Sequence, residues 1–120
     1  MDERVSRLID LALEEDIGSG DVTSGYFVPE EREARAFINA REAGVLAGVE
    51  VAAEVFRRVG KGSEVRVLLE DGAKMAEGAM TMEIRGKARD VLTAERTALN
   101  FLQRLSGVAT LTARFVEEVA

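Results

Sequence analysis

Hydrophobic positions recur along the chain with two different periods, and each period marks a different kind of element. Residues 3 to 16, ERVSRLIDLALEED, bring Val5, Leu8, Ile9, Ala12 and Leu13 onto one face at helical spacing. Gly18 and Gly20 in DIGSGDVTS then stop that helix, and Pro29 marks a further loop. From Ala34 the period changes to two. Ala34, Ala36, Ile38 and Ala40 point one way and Arg35, Phe37, Asn39 and Arg41 the other, which predicts a strand. REAGVLAG turns and predicts a short apolar strand punctuated by Gly44 and Gly48. Residues 49 to 59, VEVAAEVFRRV, return to the helical period until Gly60 and Gly62. SEVRVLLED sets Val65, Val67 and Leu69 against Glu64, Arg66 and Leu68. AMTMEIRGK sets Met80, Met82 and Ile84 against Thr81, Glu83 and Arg85. Both predict strands, with DGAKMAEG as a turn-rich link between them. Asp90 is a candidate N-cap for a long helix running from Val91 to the last residue, with Gly107 as the place for a kink.

Strands and helices are mixed here without steady β-α-β alternation. The fold class expected is therefore α+β: a small, largely antiparallel sheet covered by helices, with a long C-terminal helix. The length, 120 residues, suits a single small domain. The last helix ends in FVEEVA without Gly, Pro or a cationic last turn, so residues 1–120 are expected to be a segment of a longer protein.

Composition narrows the chemistry. The formal net charge of −6 argues against nucleic acid or an anionic membrane as the main partner. Cysteine and histidine are both absent, which removes thiolate nucleophiles, zinc–thiolate sites and the commonest general base. Without cysteine, a reducing cytoplasmic compartment is the default expectation. No apolar run approaches the roughly 18 residues a membrane span needs. P-loop, nucleophile-elbow and kinase signatures are missing.

Four stretches could still carry chemistry. On the final helix Val91, Ala94, Ala98, Leu102, Leu105, Ala109 and Val116 share one arc, the expected core face. Arg96, Asn100, Gln103, Gly107, Thr110 and Arg114 share another, free of acids, and residues 91–114 carry Arg96, Arg104 and Arg114 against Glu95 alone. Such a row suits an anion, because a guanidinium fork donates two parallel hydrogen bonds to a carboxylate. Helical geometry and composition by themselves favour a solvated face with a chance run of charge. In EEDIGSGDVTS, Glu14, Glu15, Asp16 and Asp21 could hold a hard cation, but glycines occupy the positions where an EF-hand loop needs oxygens. A helix end and turn is the simpler reading. In EDGAKMAEGA, Lys74 beside Met75 could be a carrier lysine of biotinyl or lipoyl type on a hairpin, although Ala73 replaces the flanking methionine. In NAREAGVLAG, Arg41 and Glu42 could pair, and Gly44 and Gly48 suggest close backbone approach.

AERTALNFLQRLSGVATLT resembles the quinolinate phosphoribosyltransferase family, the decarboxylating enzymes of NAD synthesis that make nicotinate mononucleotide. ALEEDIGSGDVTS, AREAGVLAGVEVA and EDGAKMAEG are similar to family segments in the same order, with Ser24 as a departure where threonine is common. The resemblance implies an N-terminal lid or dimerisation domain over residues 1–120, the C-terminal α/β-barrel catalytic domain being absent from this chain. It implies that the missing domain binds quinolinate, phosphoribosyl pyrophosphate and Mg2+, and that this chain binds no metal and is inactive alone. Arg96 is expected to reach a quinolinate carboxylate in the active site of a partner subunit, within a head-to-tail homodimer or higher homo-oligomer. Asn100, Gln103 and Arg104 are supporting candidates. The alternatives are a related molybdate-transport-associated protein, a carrier module using Lys74, and a purely structural dimerisation domain.

Overall fold

A computed structural model describes residues 1–18 and 31–119. Gly20, Asp21, Ser24 and Pro29 lie outside the described residues. In chain order the elements are α1 (Glu3–Gly18), β1 (Glu33–Asn39), β2 (Gly44–Val45), α2 (Val49–Val59), β3 (Glu64–Val67), β4 (Lys74–Met75), β5 (Met80–Lys87) and α3 (Ala88–Val119). The α+β expectation is met. A three-stranded sheet runs in the order β1-β5-β3, entirely antiparallel, and β2 pairs antiparallel with β4 in a separate two-stranded ribbon.

One core joins these pieces. Ile38, Met82 and Ile84 from the sheet meet Val49, Ala52, Val55 and Phe56 of α2 and Val91, Ala94, Ala98 and Leu102 of α3, with Ile9 and Leu13 of α1 closing the end. Helix α2 falls where the pattern placed it because its apolar side is continuous and Gly60 stops it. Its N-terminus is held from afar. Gly48 enters the helix in the left-handed region, and the Val49 N–H donates to Asp71 Oδ1 at 2.8 Å. The orphan donors of a helix start need an acceptor, and the loop before β4 supplies one.

Several expectations need correction. Leu8 is 58% exposed, because α1 touches the body only along a narrow stripe through Ile9 and Leu13. The last helix starts at Ala88, directly after β5, so Asp90 lies in its first turn rather than at its cap. Gly107 does not interrupt that helix. Leu105 and Val116 leave the expected core arc: Leu105 packs over Gly48 but stays 39% exposed, and Val116 lies past Thr110, which is hydrogen-bonded to Val45. β5 does not alternate in burial: Thr81 and Glu83 are buried and Met80 is exposed. A register shift between Ile38 and Asn39 accounts for the start of the strand, and the Thr81 hydroxyl donates to the Ile38 carbonyl there at 2.8 Å. DGAKMAEG is more than a link. It contains β4, flanked by turns at Gly72 and Gly78, both with positive φ.

Candidate functional site

Arg96, Asn100, Gln103 and Arg104 all ride on α3, so the site begins with what fixes that helix. Three hydroxyls do so. Thr97, buried at the first third of the helix, donates to the Asp16 carboxylate at the end of α1. Ser106 Oγ accepts the Ala47 N–H at 3.0 Å and donates to the Ala47 carbonyl at 3.1 Å. Thr110 Oγ1 accepts the Val45 N–H at 3.0 Å while donating to the Ser106 carbonyl at 2.7 Å. The GVLAG segment is thereby drawn tight against α3. A Cβ on Gly44 would stand 2.4 Å from Thr110 Oγ1, and one on Gly48 would stand 2.6 Å from Leu105 Cδ1. Close approach, not a ligand, explains both glycines.

A cleft of about 670 Å³ opens between α3 and the end of β1. Phe37, Asn39, Arg41 and Glu42 form one wall, and Leu99, Gln103, Thr110 and Arg114 the other. The stripe foreseen on α3 is therefore divided. Gln103, Gly107, Thr110 and Arg114 line the cleft, while Arg96, Asn100 and Arg104 do not. Arg96, Asn100 and Arg104 are exposed. Among the described residues, Arg96 takes part in none of the ion pairs, and its neighbour Glu95 turns to the cleft. Its guanidinium is free to meet an anion brought from outside.

The other candidates fare differently. Arg41 and Glu42, a possible charge pair in the sequence, form no ion pair among the described residues. Lys74 is exposed but sits in β4, opposite Val45, so the tight hairpin tip that a carrier lysine needs is not there. Among the described residues no three acidic side chains converge as metal ligands, and Asp16 is engaged by Thr97. No described helix is long and apolar enough to cross a membrane.

One charged group escaped sequence reasoning. On the sheet face away from the core, Glu83 is covered by arginines: Arg35 Nε donates to it at 2.7 Å, and Arg85 approaches at 3.6 Å. The Arg35 guanidinium also lies 5.0 Å from the centre of the Phe37 ring. The cluster needs Arg35, Phe37, Glu83 and Arg85 on two strands in one register, and only the Phe37↔Glu83 and Arg35↔Arg85 pairing brings them together.

The α+β architecture is that of the N-terminal part of solved nicotinate-nucleotide pyrophosphorylases. The architecture matches solved structures closely. A nicotinate-nucleotide pyrophosphorylase from Francisella tularensis superposes with a TM-score of 0.86 at 40% identity, over 94% of this chain and 40% of that one. NadC from Streptococcus pyogenes does so with a TM-score of 0.90 at 37% identity, over 95% and 41%. A quinolinate phosphoribosyltransferase [decarboxylating] of Nicotiana tabacum is 41% identical over 88% of this chain and 30% of its own length. Residues 21–106 match the family described as quinolinate phosphoribosyl transferase, N-terminal domain, and the chain belongs to that family. It spans about 30% of the length of the plant relatives it matches, some of which are named as mitochondrial or chloroplastic.

Proposed function

We propose that this domain works as the N-terminal part of a quinolinate phosphoribosyltransferase, joined to a catalytic barrel outside these residues. The whole enzyme would convert quinolinate and phosphoribosyl pyrophosphate to nicotinate mononucleotide, pyrophosphate and CO2. In that assembly the domain covers the barrel of a partner subunit in a homodimer, and Arg96 reaches a quinolinate carboxylate there. The observation that carries this reading is an exposed arginine without an ion pair among the described residues, on a helix within the matched family region. Arginine stays protonated, so Arg96 serves to orient and neutralise the acid and not as a base. Asn100 and Arg104, exposed on the same side, are the supporting donors. Gln103 faces the cleft and has a weaker claim. Mg2+ would be held with phosphoribosyl pyrophosphate by the barrel domain.

The test is Arg96→Ala in the full-length protein. Loss of a carboxylate clamp should lower kcat/KM for quinolinate by about 10²-fold or more. Mixing that variant with chains inactivated in the barrel should restore part of the activity, since one mixed site keeps both intact components. Unchanged kinetics would remove Arg96 from the site, and failure of mixing would place its action within its own subunit.

A further inference from the structure

Thr110 and Thr112 keep their hydroxyl protons inside α3, each on the carbonyl four residues back. Thr97 does not. It is buried, directly follows Arg96, and donates across 81 residues of sequence to the Asp16 carboxylate in the last turn of α1. That turn is a poor place for an acid if helix stability were the aim. The carbonyl end of a helix carries partial negative charge, and this end holds Glu14, Glu15 and Asp16 with no basic residue in its last turn. Asp16 is also half-buried, so its charge needs a donor, and Thr97 supplies one. A contact held at some cost to α1 points to a role outside α1.

We propose that Thr97, anchored by Asp16, is a positioning residue that sets the rotation of α3 at Arg96. The inference rests on the reading that Arg96 meets the substrate carboxylate. The inward side chains on either side of Thr97 are small: Ala94 and Ala98, both fully buried. Methyl packing is non-directional, so it fixes how close α3 lies to the core but little of its turn about its own axis. A charge-assisted hydrogen bond has a preferred length and angle, and this one acts on the residue next to Arg96. A turn of about 10° moves a group at the roughly 6 Å helix surface by about 1 Å. A misplacement of about 1 Å can cost about 10²-fold in rate. Ser106 and Thr110 hold α3 about three and four turns further on, where they bear less on the turn that carries Arg96. The other tether of α1 lies elsewhere: Arg58 Nη1 donates to Asp10 Oδ1 and to the Ser6 carbonyl, each at 2.8 Å, which joins α1 to α2.

Steady-state kinetics of the full-length protein test this. Thr97→Val keeps the shape of the side chain and removes the donor. It should raise KM for quinolinate about 10-fold, lower kcat by less than about threefold and leave KM for phosphoribosyl pyrophosphate unchanged. Asp16→Ala removes the other half of the bond and should raise the same KM. A merely structural loss would lower apparent kcat through the folded fraction and leave both KM values alone. Thr97→Ser keeps the hydroxyl and should return KM for quinolinate to within about twofold of the wild type. Asp10→Ala, which loosens α1 at its other tether, should stay within that same range. On an Arg96→Ala background, Thr97→Val should add nothing further, because the group it positions is gone. An unaltered KM in Thr97→Val or Asp16→Ala, no rescue by serine, an equal rise from Asp10→Ala, or a full effect on the Arg96→Ala background would overturn the inference and leave the Arg96 assignment standing. Wild-type kinetics in Arg96→Ala would remove that assignment and the inference with it.

Discussion

Two threonines on α3 allow the fastening of that helix to be measured by a matched pair of substitutions. Thr110 and Thr112 both donate to the carbonyl four residues earlier, at 2.7 and 2.8 Å. Only Thr110 also accepts the Val45 N–H, at 3.0 Å across 65 residues of sequence. Valine has nearly the shape of threonine, so Thr110→Val and Thr112→Val remove the hydroxyl without opening a cavity. Helix propensity changes equally at both sites and cancels in the difference. What remains is the cost of a half-buried backbone donor left unmade, about 1–2 kcal/mol, the lower part of the range for such groups because water can reach it. For a chain of this length, an unfolding entropy of roughly 2.1 cal/mol/K per residue converts each kcal/mol to about 4 °C. Thr110→Val should therefore melt about 4–8 °C below the wild type and Thr112→Val within about 1 °C of it. Scanning calorimetry gives both numbers, and hydrogen exchange at the Val45 amide reports the bond directly. Equal losses from the two variants, or an unaltered Val45 exchange rate, would refute the claim that this bond anchors β2 to α3.

Gly48→Ala should destabilise the domain by at least about 1–2 kcal/mol, since its φ of +85° penalises a Cβ and Leu105 Cδ1 would lie 2.6 Å away. Urea unfolding would show it, whereas the same change at exposed Gly62, where nothing lies within 4 Å, should cost far less. Asp71→Ala should cost about 1 kcal/mol by removing the carboxylate that accepts the Val49 N–H at the start of α2. Asp71→Asn keeps a side-chain oxygen and should restore most of that loss in the same urea titration.

Much of the architecture was legible before any coordinates. Helix α2 matches its apolar period from Val49 to Val59, and β1 alternates as its sequence does from Glu33 to Asn39. These elements read cleanly because each buries a single face, so the side-chain period and the burial period agree. β5 did not read cleanly because its outer face is covered too, by arginine stems over Glu83 and a hydroxyl on Ile38. β4 was invisible because two residues have no period; its existence depends on the partner strand 30 residues earlier. The candidate stripe on α3 is divided between the cleft and open solvent, and its helical angle did not reveal that division. Whether a residue faces the cleft or open solvent depends on where β1 ends against the helix, not on the helix's own angle.

The amino-acid sequence by itself determined the class of fold, the order of the principal elements and the row of acid-free donors on the last helix. Each of these follows from local periodicity and residue chemistry, which neighbouring segments do not alter. Tertiary structure decided the rest: that Thr97, Ser106 and Thr110 are fasteners and not ligands, that Lys74 lies in a strand, and that Arg96 stands apart from Gln103 and Arg114. Those outcomes depend on contacts between residues tens of positions apart. A hydroxyl or a guanidinium carries no mark in the sequence of whether the chain will return to satisfy it.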